Sequence, residues 1–144
     1  MLGAEQEIIA TYVETGQAKI IFWPVVDFGL ASMNAQAAAD CVGQQSVDAY
    51  WIVHDLFFEN QAQLARADDT FFAGVAGNQG LDVEQFNECF TGGQGHGNIT
   101  LLDSIRRERG IFNRPTIDIN GQLVIGSQPF GVFAEVIEAA LVGE

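Results

Sequence analysis

The chain has 144 residues, 48% of them apolar, and a formal charge of −13. That length suits one domain with a real hydrophobic core, and the excess of carboxylates makes nucleic acid and anionic membrane surfaces poor partners. No apolar run approaches the roughly 20 residues that cross a bilayer, and the opening MLGAEQEIIA shows neither the basic nor the apolar region of a secretory signal.

Ala4, Ile8, Tyr12 and Val13 share one helical face, and Gly16 is placed to stop that helix. Ile20-Ile21-Phe22-Trp23, between Lys19 and Pro24, is an uninterrupted apolar run and reads as a strand buried on both faces. The next ninety or so residues read as helices. Ser32 to Val42 is alanine-rich, Val47 to Asn60 carries Tyr50, Trp51, His54 and Phe58 on one stripe, and Thr70 to Ala76 holds Phe71, Phe72 and Val75. Asp82-Val83-Glu84-Gln85 has the pattern of a capping box opening a helix that faces Phe86, Cys89 and Phe90 inward.

The glycine-rich Thr91 to Asn98, TGGQGHGN, reads as a loop. Its Gly92-Gly93-Gln94-Gly95 lacks the strand and the Lys-Ser/Thr of a phosphate cradle, and His96 within it reads as flexible and exposed. His54, on the same stripe as Trp51 and Phe58, reads as a packed, hydrogen-bonded histidine, since no nucleophile has a legible spacing to it. No cluster of Cys and His has metal-ligand spacing, and no cofactor motif is present.

Ile99 to Arg109 has helical spacing, and Gly110 is its expected left-handed cap. Arg106, Arg107, Arg109 and Arg114 hold four of the six basic residues; the helical three read as a solvated face paired with Asp103 and Glu108. Pro115 pushes Arg114 into the extended region. Thr116 to Asn120 then alternates Ile117 and Ile119 against Thr116 and Asp118 as a half-buried strand, Asn120-Gly121 is a type I′ hairpin signal, and Gln122 to Ile125 is the returning strand. Ser127 or Gln128 is placed to cap a last helix with Pro129 in its first turn and Phe130, Phe133, Ile137 and Leu141 on its apolar face.

Five segments, TYVETGQAKIIFWP, AAADCVGQQ, WIVHDLFFENQ, LDVEQFNECF and RPTIDINGQLVIGSQPFGVF, lie in an order that resembles the DsbA-like branch of the thioredoxin superfamily. The resemblance implies an α/β, thioredoxin-like fold in one domain over 1–144, with a core of 1–28 and 110–144 and an all-helical insertion of 29–109. It implies a small sheet of about three strands that includes the C-terminal hairpin. It also implies protein thiol-disulfide oxidoreductase chemistry and an extracytoplasmic location.

The family's Cys-x-x-Cys and the strand before it have no counterpart in this sequence. The expectation is therefore an N-terminally incomplete form, or else a sheet completed by another chain or by the two orphan strands closing on each other, and no dithiol oxidase activity from the chain as written. Pro115 resembles the family's cis-proline, so Arg114, Pro115 and Thr116 are the expected substrate-binding residues, with Phe112 and Phe22 nearby. Arg114, where the family usually has a small or β-branched residue, and Asn113, where it commonly has Gly, depart from the pattern.

For Cys41 and Cys89 three readings stand. They are inert buried thiols, or a structural disulfide of the kind some DsbA-like relatives carry, or, least favoured by their apolar neighbours, a catalytic pair. A bridge there would close a loop worth about 4 kcal/mol in the chain-entropy model. The expected partner is a peptide or protein dithiol. Two further readings remain: a non-catalytic module binding an extended peptide or a second copy through open sheet edges, and a fragment of a glutathione-using relative.

Overall fold

The computed structural model describes residues 3–143, which form two compact units: one of residues 3–22 and 107–143, the other of residues 23–106. In the first unit, α1 (Gly3–Ile8) runs into a π-helical turn, Ile9–Val13. The turn closes where Gln17 and Ala18 both donate their backbone N–H to Tyr12 O, with Gly16 at φ 75°. A β-hairpin follows later in the chain, β1 (Thr116–Ile119) and β2 (Gln122–Ile125), and then α8 (Phe130–Val142).

The hairpin register pairs Thr116 with Ile125 and Ile117 with Val124. One face of the ribbon therefore sends Ile117, Ile119 and Val124 into a core with Ile8, Tyr12, Phe133 and Ile137. Asn120 at φ 49° and Gly121 at φ 96° make the turn, and Asp118 Oδ1 accepts from Gly121 N–H at 2.7 Å. Tyr12 stacks on Phe130 and donates its hydroxyl to Glu138 Oε1 at 3.0 Å, tying the N-terminal segment to α8.

The second unit is helical: α2 (Gly29–Gly43), α3 (Val47–Glu59), α4 (Gln61–Leu64), α5 (Asp69–Asn78), α6 (Val83–Thr91) and most of α7 (Gln94–Glu108). Three starts are capped by side chains: Ser46 accepts from Ala49 N–H, Asp68 from Phe71 N–H, and Asp82 from both Glu84 and Gln85 N–H. Its core gathers the small face of α2 (Ala35, Ala38, Val42) against Val53, Phe57, Phe72, Phe86 and Phe90. The alanines let α3 and α6 approach α2 closely, and the phenylalanines fill what remains.

Four sequence expectations need correction. Among the described residues the sheet has two strands, not about three, and Ile20–Trp23 is not one of them. A four-residue apolar run becomes a strand only where another strand lies alongside it, and among the described residues it joins no ladder; Ile21 is 69% exposed, so burial on both faces fails as well. The stretch Thr91 to Asn98 is not a loop beyond the turn at Gly92-Gly93, because α7 already starts at Gln94. Neither Ser127 nor Gln128 caps α8: Pro129 holds the N-cap position, and the Gln128 amide donates instead to Ile125 O at 3.0 Å. On α8, Phe133 and Ile137 are buried, whereas Leu141 stands outside the core.

Candidate functional site

Two places in the chain carry chemistry, one in each unit. Past the end of α7, Gly110 turns the chain at φ 70°, and the chain crosses a cis Arg114–Pro115 peptide into β1. Arg114 is exposed, while Pro115 and Thr116 are half-buried. Thr116 Oγ1 donates to Asn113 O at 2.7 Å, and Gly126 N–H donates to Pro115 O at 2.8 Å, which extends the ladder one residue beyond β1.

That last bond fixes which way the strand's own polar groups face. With Gly126 N–H on Pro115 O, the pair Thr116–Ile125 is a non-hydrogen-bonded one, so the N–H and C=O of Thr116 and of Asp118 point away from β2. Among the described residues β1 pairs only with β2, and no strand pairs along its other edge. Arg109 forms an ion pair with Asp118 beside this edge.

In the second unit, Cys41 and Cys89 are joined, with S–S 2.00 Å and Cα–Cα 5.8 Å. Cys41 stands in the last turn of α2 and Cys89 in the last turn of α6, so the bond pins these two helices near their C-terminal ends. A third helix closes over it. A Cβ at Gly95 would lie 2.7 Å from both Ala37 O and Cys41 Sγ, so the first turn of α7 rests directly on the disulfide and only glycine fits. That close approach, rather than flexibility, accounts for a glycine in this part of TGGQGHGN. His96 is accordingly held, not free: its Nε2 lies 3.1 Å from Asn34 Oδ1 and its ring packs on Phe90.

A cavity of about 230 Å³ opens over the bond, lined by Cys41, Gln44, Gln85, Glu88, Cys89 and Gln94. Gln44 Nε2 bridges Cys89 Sγ at 3.5 Å and Asp40 Oδ2 at 2.9 Å, and Asn98 Nδ2 donates to the same carboxylate oxygen at 3.0 Å. Asp40 and the two sulfurs lie within 4.8 Å of one another. With the sulfurs bonded together the trio offers a metal one carboxylate and no thiolate, so it does not fit a cation in this state. Asp40, Gln44 and Glu88 were not singled out in the sequence. The available signal was that an acid directly precedes each cysteine, in Asp40-Cys41 and Glu88-Cys89.

The electrostatics at this bond are negative. The Asp40 carboxylate stands beside it, Glu88 lines the cavity above it, and each cysteine sits at a helix C-terminus carrying about half a negative charge; the N-terminus of α7 returns about half a positive charge. A thiolate is disfavoured there, which makes Cys41 and Cys89 a poor nucleophilic pair. On α3, burial and the Asp40 charge push the Tyr50 phenol upward.

The other sequence candidates take structural positions. His54 is buried, its Nδ1 3.1 Å from Asp55 Oδ1 and its ring against Trp51 and Phe58. Arg106 is not on a solvated face: it is 3% exposed, its Nε and Nη2 donate to Asp103 Oδ1 at 3.0 and 2.6 Å, and Nη2 also reaches Asp27 Oδ1 at 3.3 Å. The reason is that Asp27 comes from 79 residues earlier in the chain, beyond the reach of a helical spacing rule. Trp23 Nε1 to Leu102 O at 2.9 Å and Val26 N–H to Asp103 Oδ1 at 3.3 Å fasten the same segment onto α7.

No helix among the described residues is long and apolar enough to cross a membrane. A family model described as Thioredoxin matches residues 2–139. No curated protein and no solved structure matches the chain.

Proposed function

The chain belongs to the thioredoxin family, and from that premise we propose that it supplies the peptide-holding side of a DsbA-like thiol-disulfide oxidoreductase. Arg114, Pro115 and Thr116 receive an extended, cysteine-bearing peptide along the open edge of β1. The observation that carries this reading is the outward N–H and C=O of Thr116, a donor and an acceptor at the spacing an added strand requires. Arg114, exposed at the end of that edge, favours a peptide with a carboxylate near the paired residue.

The redox step itself needs a thiolate placed at an electropositive position. These 144 residues contain no Cys-x-x-Cys, and their two cysteines are bonded to each other in a negative setting. Dithiol oxidation therefore falls to a thiol pair outside this sequence, and the chain alone binds without turning over.

The test is fluorescence anisotropy with a labelled decapeptide of alternating valine and threonine carrying one S-methylated cysteine. Saturable binding is expected, weakened at least about tenfold by Thr116→Pro, which deletes the outward N–H and spares the β1–β2 ladder. Thr116→Val keeps that N–H and should bind as the parent does. Equal affinity for all three proteins overturns the reading. Light scattering on the free protein identifies a second copy as the occupant if dimers form and Thr116→Pro dissolves them.

A further inference from the structure

The disulfide that pins α2 to α6 is also the floor of a cavity, and that combination has a chemical consequence independent of the β1 edge. We propose that Cys41–Cys89 is an exchangeable disulfide whose surroundings select the charge of the thiol that opens it, admitting a thiol that carries positive charge and turning away anionic ones.

Cys89 is the more exposed of the two residues, at 7% against 1% for Cys41, and both line the cavity, so the attack falls on Cys89. Exchange proceeds by attack of the incoming thiolate on Cys89 Sγ. The new S–S bond forms a mixed disulfide, the Cys41–Cys89 bond breaks, and its electron pair leaves on Cys41 Sγ, which then takes a proton from solvent. A second equivalent of the same thiol attacks the mixed disulfide, releases the oxidised thiol dimer and leaves Cys89 as a thiolate that is protonated in turn. The reductant is the incoming thiol, two equivalents per bond, and the electrons balance.

The leaving sulfur, Cys41, rests against the first turn of α7, the positive end of a 15-residue helix, which gives its departing charge the better of the two environments. The surroundings of the bond are otherwise negative. Glu88 lines the cavity, and the Asp40 carboxylate is held beside both sulfurs by the Gln44 and Asn98 amides. The three glutamines of the lining, Gln44, Gln85 and Gln94, add no charge to offset them. A thiolate is itself an anion, so a reagent bearing a second negative charge is repelled twice, whereas one bearing an ammonium enters as a neutral zwitterion.

The experiment compares reduction of the folded full chain by cysteamine and by 3-mercaptopropionate. The reaction is quenched with an alkylating agent and read by mass spectrometry, and each rate is divided by that thiolate's rate on the neutral 2-hydroxyethyl disulfide. At low ionic strength the normalised preference for cysteamine is expected to be about tenfold or more, and to shrink toward unity in about 1 M salt. Glu88→Gln should cut the preference several-fold while leaving the fold unchanged by circular dichroism. Equal normalised rates, a preference untouched by Glu88→Gln, or a rate independent of thiol concentration, as unfolding-limited reduction would give, each overturn the proposal; so does a bond that neither thiol opens.

Discussion

Asp103 and Arg106 stand one turn apart on α7 and form an ion pair away from solvent, Arg106 Nη2 donating to Asp103 Oδ1 over 2.6 Å. The same carboxylate oxygen accepts from Val26 N–H, and the same guanidinium reaches Asp27. A buried pair of this kind gains little net stability over a packed apolar pair, but breaking it strands a charge. Asp103→Ala is therefore expected to cost about 3–5 kcal/mol in urea unfolding followed by circular dichroism. The double variant Asp103→Ala with Arg106→Met should recover a large part of that loss. If Asp103→Ala costs under about 1 kcal/mol, the guanidinium is not desolvated as described.

Gly95 and Gly97 sit two residues apart on α7 and should respond oppositely to the same substitution. A Cβ at Gly95 meets Ala37 O and Cys41 Sγ at 2.7 Å, whereas nothing lies within 4 Å of one at Gly97. Gly95→Ala is expected to cost about 1–3 kcal/mol, since backbone cannot retreat as a side chain can. Gly97→Ala should gain up to about 1 kcal/mol from helix propensity. Denaturation midpoints of the two variants decide the matter, and a neutral Gly95→Ala would show that α7 does not rest on the disulfide.

Removing the bond with Cys41→Ala and Cys89→Ala together frees a loop whose ends are 48 residues apart in sequence. The expected loss is about 4 kcal/mol, most of it through the greater freedom of the unfolded chain. Urea unfolding of the oxidised parent, the reduced parent and the double variant checks this: the last two should coincide to within roughly 1 kcal/mol.

Alkaline pH should weaken the fold in a way that maps to Tyr50. Burial first, and the Asp40 charge second, raise its phenol above the usual value of 10.0. A group whose folded pKa is raised stabilises the fold below its unfolded pKa. As pH climbs past about 10, the unfolded chain gives up the proton and the folded one does not, so stability falls. Tyr12 is shifted the same way by burial and by its bond to Glu138. The slope of unfolding free energy between about pH 10 and 12 should be shallower in Tyr50→Phe than in the parent. An identical slope would mean that the ring is solvated.

What could be read from the sequence was what the chain decides locally. Asp82 caps α6 through two N–H groups two and three residues on, Gly110 adopts its left-handed cap, and Asn120-Gly121 turns the hairpin with both residues at positive φ. Each depends on neighbours within four positions, where sequence and geometry are nearly the same information. The misreadings share the opposite trait. Ile20–Trp23 needed a strand partner, Arg106 needed Asp27 from far upstream, and Gly95 needed the flank of α2 to reveal itself as a contact rather than a hinge.

The candidate site divides along the same line. Pro115, Thr116 and the returning strand are legible from spacing, but the direction in which Thr116 aims its backbone follows only from the Gly126 to Pro115 bond. The acids beside Cys41 and Cys89 were in plain view, yet adjacency in sequence does not tell that the Asp40 carboxylate lies within 4.8 Å of both sulfurs or that Glu88 lines the cavity over them.

At the mouth of the loop that the disulfide closes, a second fastening does the same work without a covalent bond. Gln45 Nε2 donates to Asp82 O at 3.0 Å, and Gln45 Oε1 accepts from Asp82 N–H at 3.0 Å. The side-chain amide thus behaves as a peptide group borrowed from another strand, satisfying donor and acceptor of one backbone residue at once. Because Asp82 is also the cap of α6, the helix entering the disulfide is aimed before its cysteine is reached. The segments carrying Cys41 and Cys89 are therefore joined twice, once by the bond between sulfurs and once by an amide that no reductant touches.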